Sequence, residues 1–296
     1  MNSAGKMKLH ALLGDYANTL PIKKGEIGSD LFDLTFADVK VANRGFKPLV
    51  REHRFDVGEL AITTYLQAKA FGKPYVLMPV VVVARDQHHT LVYNPERGEL
   101  TPAQLAGKRV GIRAYTVTTG VWVRGILHEQ FGLDLDKVKW VTFEDPHLAE
   151  YIDPPGLERA PAGKDITQML LDGELDAAVV GDNLPDPRLK RLIPDYEAAA
   201  ADWATSHGSP INHMLVVRTE LSRTRPDVVR EIFRVFKEST GVAVRNGNKN
   251  AASLKFGVEP NRKTLETIIK IAFDQKLIPE RYKVDDLFDE VTRTLV

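Results

Sequence analysis

The chain has 296 residues, enough for two domains of ordinary size with ample core. Its 40 lysines and arginines balance 40 aspartates and glutamates, so no net field favours nucleic acid or an anionic membrane. Cysteine is absent, which excludes disulfides, thiolate nucleophiles, iron–sulfur clusters and cysteine zinc sites.

The longest apolar run, residues 75–84, is about half of what a membrane-spanning helix needs. The N-terminal stretch over 1–17 has too short and too interrupted an apolar region for a secretory signal. These features place the protein in the cytoplasm, or in the periplasm if a leader has been removed, with no nucleic-acid partner and no membrane insertion. A homo-oligomer is compatible with them.

Residues 8–13 read as a first strand, followed by the loop Gly14-Asp15-Tyr16. A helix starts over 19–24, and residues 31–39 alternate like a second strand. Residues 44–52 are helical, with Phe46, Leu49 and Val50 on one face. A short buried strand over 55–60 leads into a helix over 62–70 that begins at Thr63 or Thr64. Residues 75–85 are almost continuously apolar, the pattern of a central strand covered on both faces. Alternating strands and helices predict a mostly parallel sheet with helices on both sides. Ligands in such sheets collect in loops at the carboxyl ends of the strands. That singles out Asp15 and Tyr16, Glu59 with Thr63 and Thr64, and Arg85 with Gln87, His88 and His89.

Proline, glycine and charge over 95–102 mark a boundary. A second alternating series then opens with residues 108–127, KRVGIRAYTVTTGVWVRGIL, the segment on which the functional reading turns. It predicts a strand over 109–112, a polar loop, and a helix capped by Thr118 or Thr119 with Val121, Ile126 and Leu127 on its apolar face. The N–H groups and dipole of such a helix start attract an anion, which would lie beside Arg113, Tyr115 and Arg124. Trp122 reads as core. The series continues with a strand over 138–143, the loop Glu144-Asp145-Pro146-His147, and a helix over 165–171 that ends near Gly173. A strand over 177–180 precedes Gly181-Asp182-Asn183, and residues 196–204 are helical. After Asn212-His213 a strand runs over 214–218. About 75 helical residues follow, with Pro226 in a first turn and apolar residues three and four apart over 228–236 and 265–271.

No P-loop, GxGxxG fingerprint or HExxH spacing is present. His88, His147 and His213 with Glu59 or Asp182 would be widely separated ligands, so neither a metal nor a cofactor is assigned.

The ordered series of Asp15-Tyr16, FDVGEL, the pattern P-V-x-x-x-A-R-x-Q-H ending at His88, GIRAYTVTTGVWVRGIL, MLLDGELDAAV and INHMLVVR resembles the 4,5-dihydroxyphthalate decarboxylase family. The resemblance runs from Lys8 to about Phe236; Gln87 stands where those enzymes tend to carry arginine. It implies an α/β fold like that of type II periplasmic binding proteins, with two lobes of mixed, mostly parallel sheet and a ligand cleft between them. Lobe one would combine 1–95 with 213–296, and lobe two would be 96–212. The implied activity is cofactor-independent decarboxylation of a small aromatic carboxylate such as 4,5-dihydroxyphthalate, within aromatic-compound catabolism. The same scaffold supports the alternative of a non-catalytic binding protein that delivers a small anionic solute to a transporter.

Decarboxylation needs an oriented carboxylate and a proton for the ring carbon. A guanidinium grips a carboxylate through two parallel hydrogen bonds, so Arg85 is the first choice for that task. His88 is the best general acid, because its ordinary pKa lies near working pH, and His89 is a substitute. Glu59 completes the catalytic set, and Glu59 and Asp15 are both suited either to orient a histidine or to accept from substrate hydroxyls. Substrate contacts are expected from Asp15, Tyr16, Thr63, Thr64, Tyr115, Thr118, Thr119, His147, Asp182, Asn212 and His213.

Overall fold

The computed structural model describes residues 5–296; the first four residues of the stretch weighed as a leader lie outside the described residues. The chain begins with β1 (Met7–Leu12), α1 (Leu20–Lys23), β2 (Phe32–Phe36), α2 (Phe46–Glu52), β3 (Val57–Ala61), α3 (Ile62–Ala70) and β4 (Tyr75–Ala84). It continues with β5 (Leu91–Tyr93), β6 (Arg109–Ile112), α4 (Thr118–Glu129), β7 (Lys139–Thr142), β8 (Glu158–Arg159), α5 (Ile166–Asp172), β9 (Ala177–Val179), β10 (Lys190–Arg191) and α6 (Tyr196–His207). The last elements are β11 (Ile211–Arg218), α7 (Thr219–Thr224), α8 (Pro226–Arg245), α9 (Lys249–Ser253) and α10 (Val258–Asp274).

These elements form two compact units. The first holds the chain up to Arg85 together with Ile211–Ile269 and Glu280–Val296, and the second holds Asp86–Pro210 and Lys270–Pro279. The backbone therefore passes between units at Arg85, at Pro210 and at both ends of the short segment that carries Gln275. Strand β5 pairs with β9 and β10 of the second unit.

The first unit is built on a five-stranded sheet in the order β2-β1-β3-β11-β4. Its β1, β2 and β3 are parallel, and β11 runs antiparallel between β3 and β4. The apolar run of β4 is an edge strand, not the central one its composition predicts. Its edge is covered by the chain near Phe256: Val80 bridges to Phe256, and the Gly257 N–H donates to the Pro79 carbonyl at 2.9 Å. That cover explains both the burial of the strand up to Val82 and the tolerance of Pro79, which cannot donate to a neighbouring strand. Helix α8 lays Val228, Val229, Ile232, Phe233, Val235 and Phe236 on this sheet's core, with Pro226 at its first turn.

The second unit carries a six-stranded sheet in the order β10-β5-β9-β6-β7-β8. The pairings β6–β7, β6–β9 and β7–β8 are parallel and the two involving β5 are antiparallel, so this sheet is also mixed. Helix α5 follows its local signals closely. The Asp165 side chain accepts from the N–H groups of Thr167 and Gln168, and Gly173 ends the helix at φ 77°. Trp122 is buried and meets Trp203 edge-on, in keeping with a core role. No described helix is long and apolar enough to cross a membrane.

Close packing in the first unit yields a direct test. A methyl group on Gly45, in the turn before α2, would stand 2.7 Å from Cδ2 of the fully buried Leu12 and closer still to its other methyl. Gly45→Ala is expected to lower the unfolding free energy by about 1–3 kcal/mol in urea titrations. A loss below about 0.5 kcal/mol would mean that Leu12 has room to move.

Candidate functional site

In the first unit, the chemistry gathers where the parallel strands β1 and β3 end. Leu12 pairs with Gly58, which brings the loop after β1 alongside Glu59. Glu59 is completely buried, a costly place for a carboxylate unless donors surround it. The Gly14 N–H donates to its Oε1 at 3.0 Å and the Tyr16 hydroxyl at 3.1 Å. Burial, followed by the charge and hydrogen bond of Glu59, pushes the Tyr16 hydroxyl far above the ordinary tyrosine range, so it stays a donor. The Arg85 charge opposes that shift, so the guanidinium acts on the same hydroxyl.

The loop is rigid for identifiable reasons. The Thr19 hydroxyl donates to the Gly14 carbonyl at 2.7 Å and accepts from the Tyr16 N–H at 3.0 Å. The Asn18 side chain donates to the Val82 carbonyl at 3.2 Å. Gly14 is required here: a Cβ on it would meet the Tyr16 ring at 2.8 Å. Asp15, by contrast, is tied to Lys23 in an exposed ion pair.

The register of β11 against β3 sets Leu215 opposite Glu59 and His213 opposite Ala61. His213 and Glu59 are therefore diagonal neighbours on one face of the sheet. His213 Nδ1 lies 3.8 Å from Glu59 Oε2, and neither atom has a hydrogen-bond partner. The imidazole side chain keeps 18% of its surface accessible, and its ring meets Phe46 edge-on. Irregular pairing of β11 with β4 falls at His213, the kind of bulge that re-aims a side chain. Asn212 beside it is buried. Thr63 and Thr64 are also buried, but α3 starts at Ile62 after Ala61, so neither caps it.

In the second unit, α4 begins at Thr118 with Val117 in the cap position and no side-chain cap. The expectation that Thr118 or Thr119 caps this helix is therefore corrected: both already lie in its first turn, where the chain has taken helical angles. Tyr115 lies ahead of that start, and Arg124, within α4, is fully buried with its guanidinium over the Tyr115 ring. His88 and His89 sit in a single turn before β5 and point to different partners. His88 is 1% exposed, with Nε2 2.9 Å from Gln130 Oε1 and its ring edge-on to Trp203. Burial pushes its imidazole below the ordinary value. His89 Nε2 lies 3.0 Å from Asp182 Oδ1, which joins two residues singled out separately from the sequence. His147 is buried in the loop after β7. Among the described residues, no group of three or more His, Asp or Glu could hold a metal ion.

The first unit thus brings together Tyr16, Glu59 and His213, with the Arg85 charge acting on the Tyr16 hydroxyl, while in the second unit Thr118 and Thr119 share the first turn of α4 just after Tyr115. Phe46 was read only as part of an apolar helix face, and Gln130 and Gln275 escaped sequence reasoning, because each is a turn residue just past the end of a helix with no motif around it.

His88 gives a signed pH dependence. Above about pH 6.5 the ring is neutral in both folded and unfolded chains and has no effect. Below it, the unfolded chain takes up a proton that the buried ring resists, so stability falls with pH until the lowered folded value is reached. Urea unfolding of wild type and His88→Gln at pH 7.5, 6.5 and 5.5 should show the wild type losing ground relative to the variant as pH falls. A difference independent of pH would contradict this.

No protein-family model matches the sequence. The 4,5-dihydroxyphthalate decarboxylase of Comamonas testosteroni is 32% identical over 263 residues, covering 84% of this chain and 79% of that protein. The Pseudomonas putida enzyme of the same name is 32% identical over 212 residues, covering 67% and 81%. Among solved structures, the alkanesulfonate-binding protein SsuA of Xanthomonas axonopodis pv. citri matches with a TM-score of 0.58 at 14% identity, over 96% of this chain and 98% of that one. The desulfurization enzyme DSZB matches with a TM-score of 0.52 at 14% identity, over 97% and 98%. The structural likenesses establish a fold of the type II periplasmic-binding-protein kind. The sequence identity, sustained over most of both proteins, goes further: the chain belongs to the 4,5-dihydroxyphthalate decarboxylase family.

Proposed function

We propose that the chain is a decarboxylase of a small aromatic carboxylate such as 4,5-dihydroxyphthalate, with His213 as proton donor and Glu59 as the group that positions it. The observation that carries this reading is a partly exposed imidazole facing the open oxygen of a buried carboxyl group, in a member of a family named for decarboxylation.

The reaction breaks the bond between a ring carbon and its carboxylate and replaces it with a carbon–hydrogen bond. The electron pair of the broken bond stays on the ring, the carboxylate leaves as carbon dioxide, and one proton is consumed. An imidazolium at His213 supplies that proton. Glu59 stabilises the charged ring and fixes its orientation, as a carboxylate does when paired with a catalytic histidine. The Tyr16 hydroxyl and Gly14 N–H hold Glu59 in place, so Oε2 faces the imidazole. Arg85 is proposed to orient a carboxylate of the substrate. Thr63, Thr64 and Asn212 are proposed as polar contacts. His88 was the donor expected from sequence; the proton transfer is reassigned to His213 because His88 is buried and bonded to Gln130.

Purified protein incubated with 4,5-dihydroxyphthalate is expected to release carbon dioxide. His213→Gln should lower kcat by about 10²–10⁴-fold, with substrate affinity held within a few fold. Saturable binding with no carbon dioxide from wild type would replace the decarboxylase reading with that of a solute-binding protein. Equal loss of binding and turnover in His213→Gln would make His213 a ligand contact instead of the proton donor.

A further inference from the structure

We infer that His213 delivers its proton from Nε2, with a hydrogen on Nδ1 turned toward Glu59, and that Phe46 is the positioning residue that keeps the ring in this orientation. The inference rests on the decarboxylase reading for the reaction it serves, but the ring orientation is open to a measurement that needs no turnover.

The two ring nitrogens meet different surroundings. Nδ1 is buried and lies 3.8 Å from Glu59 Oε2, while the side chain as a whole keeps 18% of its surface. The ring is therefore open on the side away from Glu59, where Nε2 stands. Glu59 decides what Nδ1 carries. Its Oε1 already accepts from the Gly14 N–H and the Tyr16 hydroxyl. Oε2 is buried with no hydrogen-bond partner, a costly state for a carboxyl oxygen unless a donor lies beside it. An N–H on Nδ1 is such a donor, whereas a bare Nδ1 would set one lone pair against another. The group met by one imidazole nitrogen fixes which nitrogen is left for chemistry, and here that is Nε2. In the step, the N–H bond at Nε2 breaks as a carbon–hydrogen bond forms at the ring carbon that loses carbon dioxide. The electron pair of the broken carbon–carbon bond takes the proton, and the electrons of the N–H bond stay on Nε2. The ring is then neutral with its hydrogen on Nδ1, and solvent returns a proton to Nε2 before the next turnover.

At 3.8 Å the two atoms fall short of a direct hydrogen bond, so their attraction does not lock the ring. Packing supplies what is missing. The Phe46 ring meets the imidazole with 5.1 Å between centres and 84° between planes, and Phe46 is itself only 1% exposed. An imidazole turned over about its bond to Cβ would face Oε2 with a carbon and lose the donor. Phe46 is held in turn. A Cβ on Gly58 would stand 2.8 Å from Cδ1 of the buried Leu49, so α2 lies against β3 one residue before Glu59. Gly45, immediately ahead of Phe46, is packed as closely against Leu12. The pairing of β11 with β4 is irregular at His213, so strand geometry alone does not aim the side chain. The aromatic wall and the carboxyl group aim it together.

The test combines spectroscopy with kinetics on the full chain. Long-range proton–nitrogen NMR of protein carrying isotope-labelled histidine shows which nitrogen of a neutral imidazole bears the hydrogen, and the His213 signals are those lost in His213→Gln. Wild type is expected to bear it on Nδ1. Phe46→Leu keeps an apolar side chain but removes the flat wall, so His213 should become a mixture of the two forms. In the same variant kcat for carbon dioxide release from 4,5-dihydroxyphthalate should fall about tenfold while KM stays within about threefold. A merely structural role for Phe46 would lower the melting temperature without moving the hydrogen or separating kcat from KM. A neutral wild-type ring with its hydrogen on Nε2 overturns the inference whether or not carbon dioxide is released, and this result does not depend on any variant folding. Phe46→Leu that keeps either the wild-type form or the wild-type kcat overturns the role of Phe46. A hydrogen on Nδ1 in a wild type that releases no carbon dioxide removes the decarboxylase reading, and the proton delivery with it, while the ring orientation stands.

Discussion

The first unit depends on one buried carboxyl group. Glu59 lies in the floor of a sheet with no exposed surface, a position a strand keeps only when donors converge on it. Much of the neighbouring architecture meets that demand. Gly14 has no side chain, so the Tyr16 ring can fold over the loop and deliver its hydroxyl to Oε1, while the Gly14 N–H takes a second position on the same oxygen. Thr19, Lys23 and Asn18 tie the loop to its own backbone and to β4. With one oxygen saturated from the β1 side, the other is left for His213 on β11. The proposed acid–base pair thus follows from how a buried carboxyl group is satisfied.

The second unit handles an interior charge differently. Arg124 is surrounded by a glutamine oxygen, a backbone carbonyl and two aromatic rings, none of which carries a full negative charge. Such a setting orients a guanidinium without neutralising it. A fold shared by a sulfonate-binding protein and a desulfurization enzyme does not itself choose between holding an anion and transforming one. The proposed reading rests instead on the Glu59–His213 geometry.

Local signals were read well from the sequence where they act locally. Asp165 and Gly173 bracket α5 because an aspartate cap and a left-handed glycine are decided within a few residues. The apolar run of β4 predicted its burial, but burial does not report strand order; the edge is hidden by residues around Phe256, far along the chain. Thr118 and Thr119 look like caps by type, yet the helix takes them into its first turn after Val117. Glu59 and His213 were each singled out, but their pairing rests on the register of β11 with β3, which no local pattern encodes. Arg124 and Gln275 lie 151 positions apart, and nothing near Gln275 announces its partner.

The central claim is that Glu59 acts through His213, and a double-mutant cycle on turnover tests it most directly. Wild type, Glu59→Gln, His213→Gln and the double variant are compared by kcat for carbon dioxide release from 4,5-dihydroxyphthalate. If the two residues work as one unit, the double variant is no slower than His213→Gln alone within a few fold. If the two losses multiply, Glu59 and His213 act independently and the account is wrong.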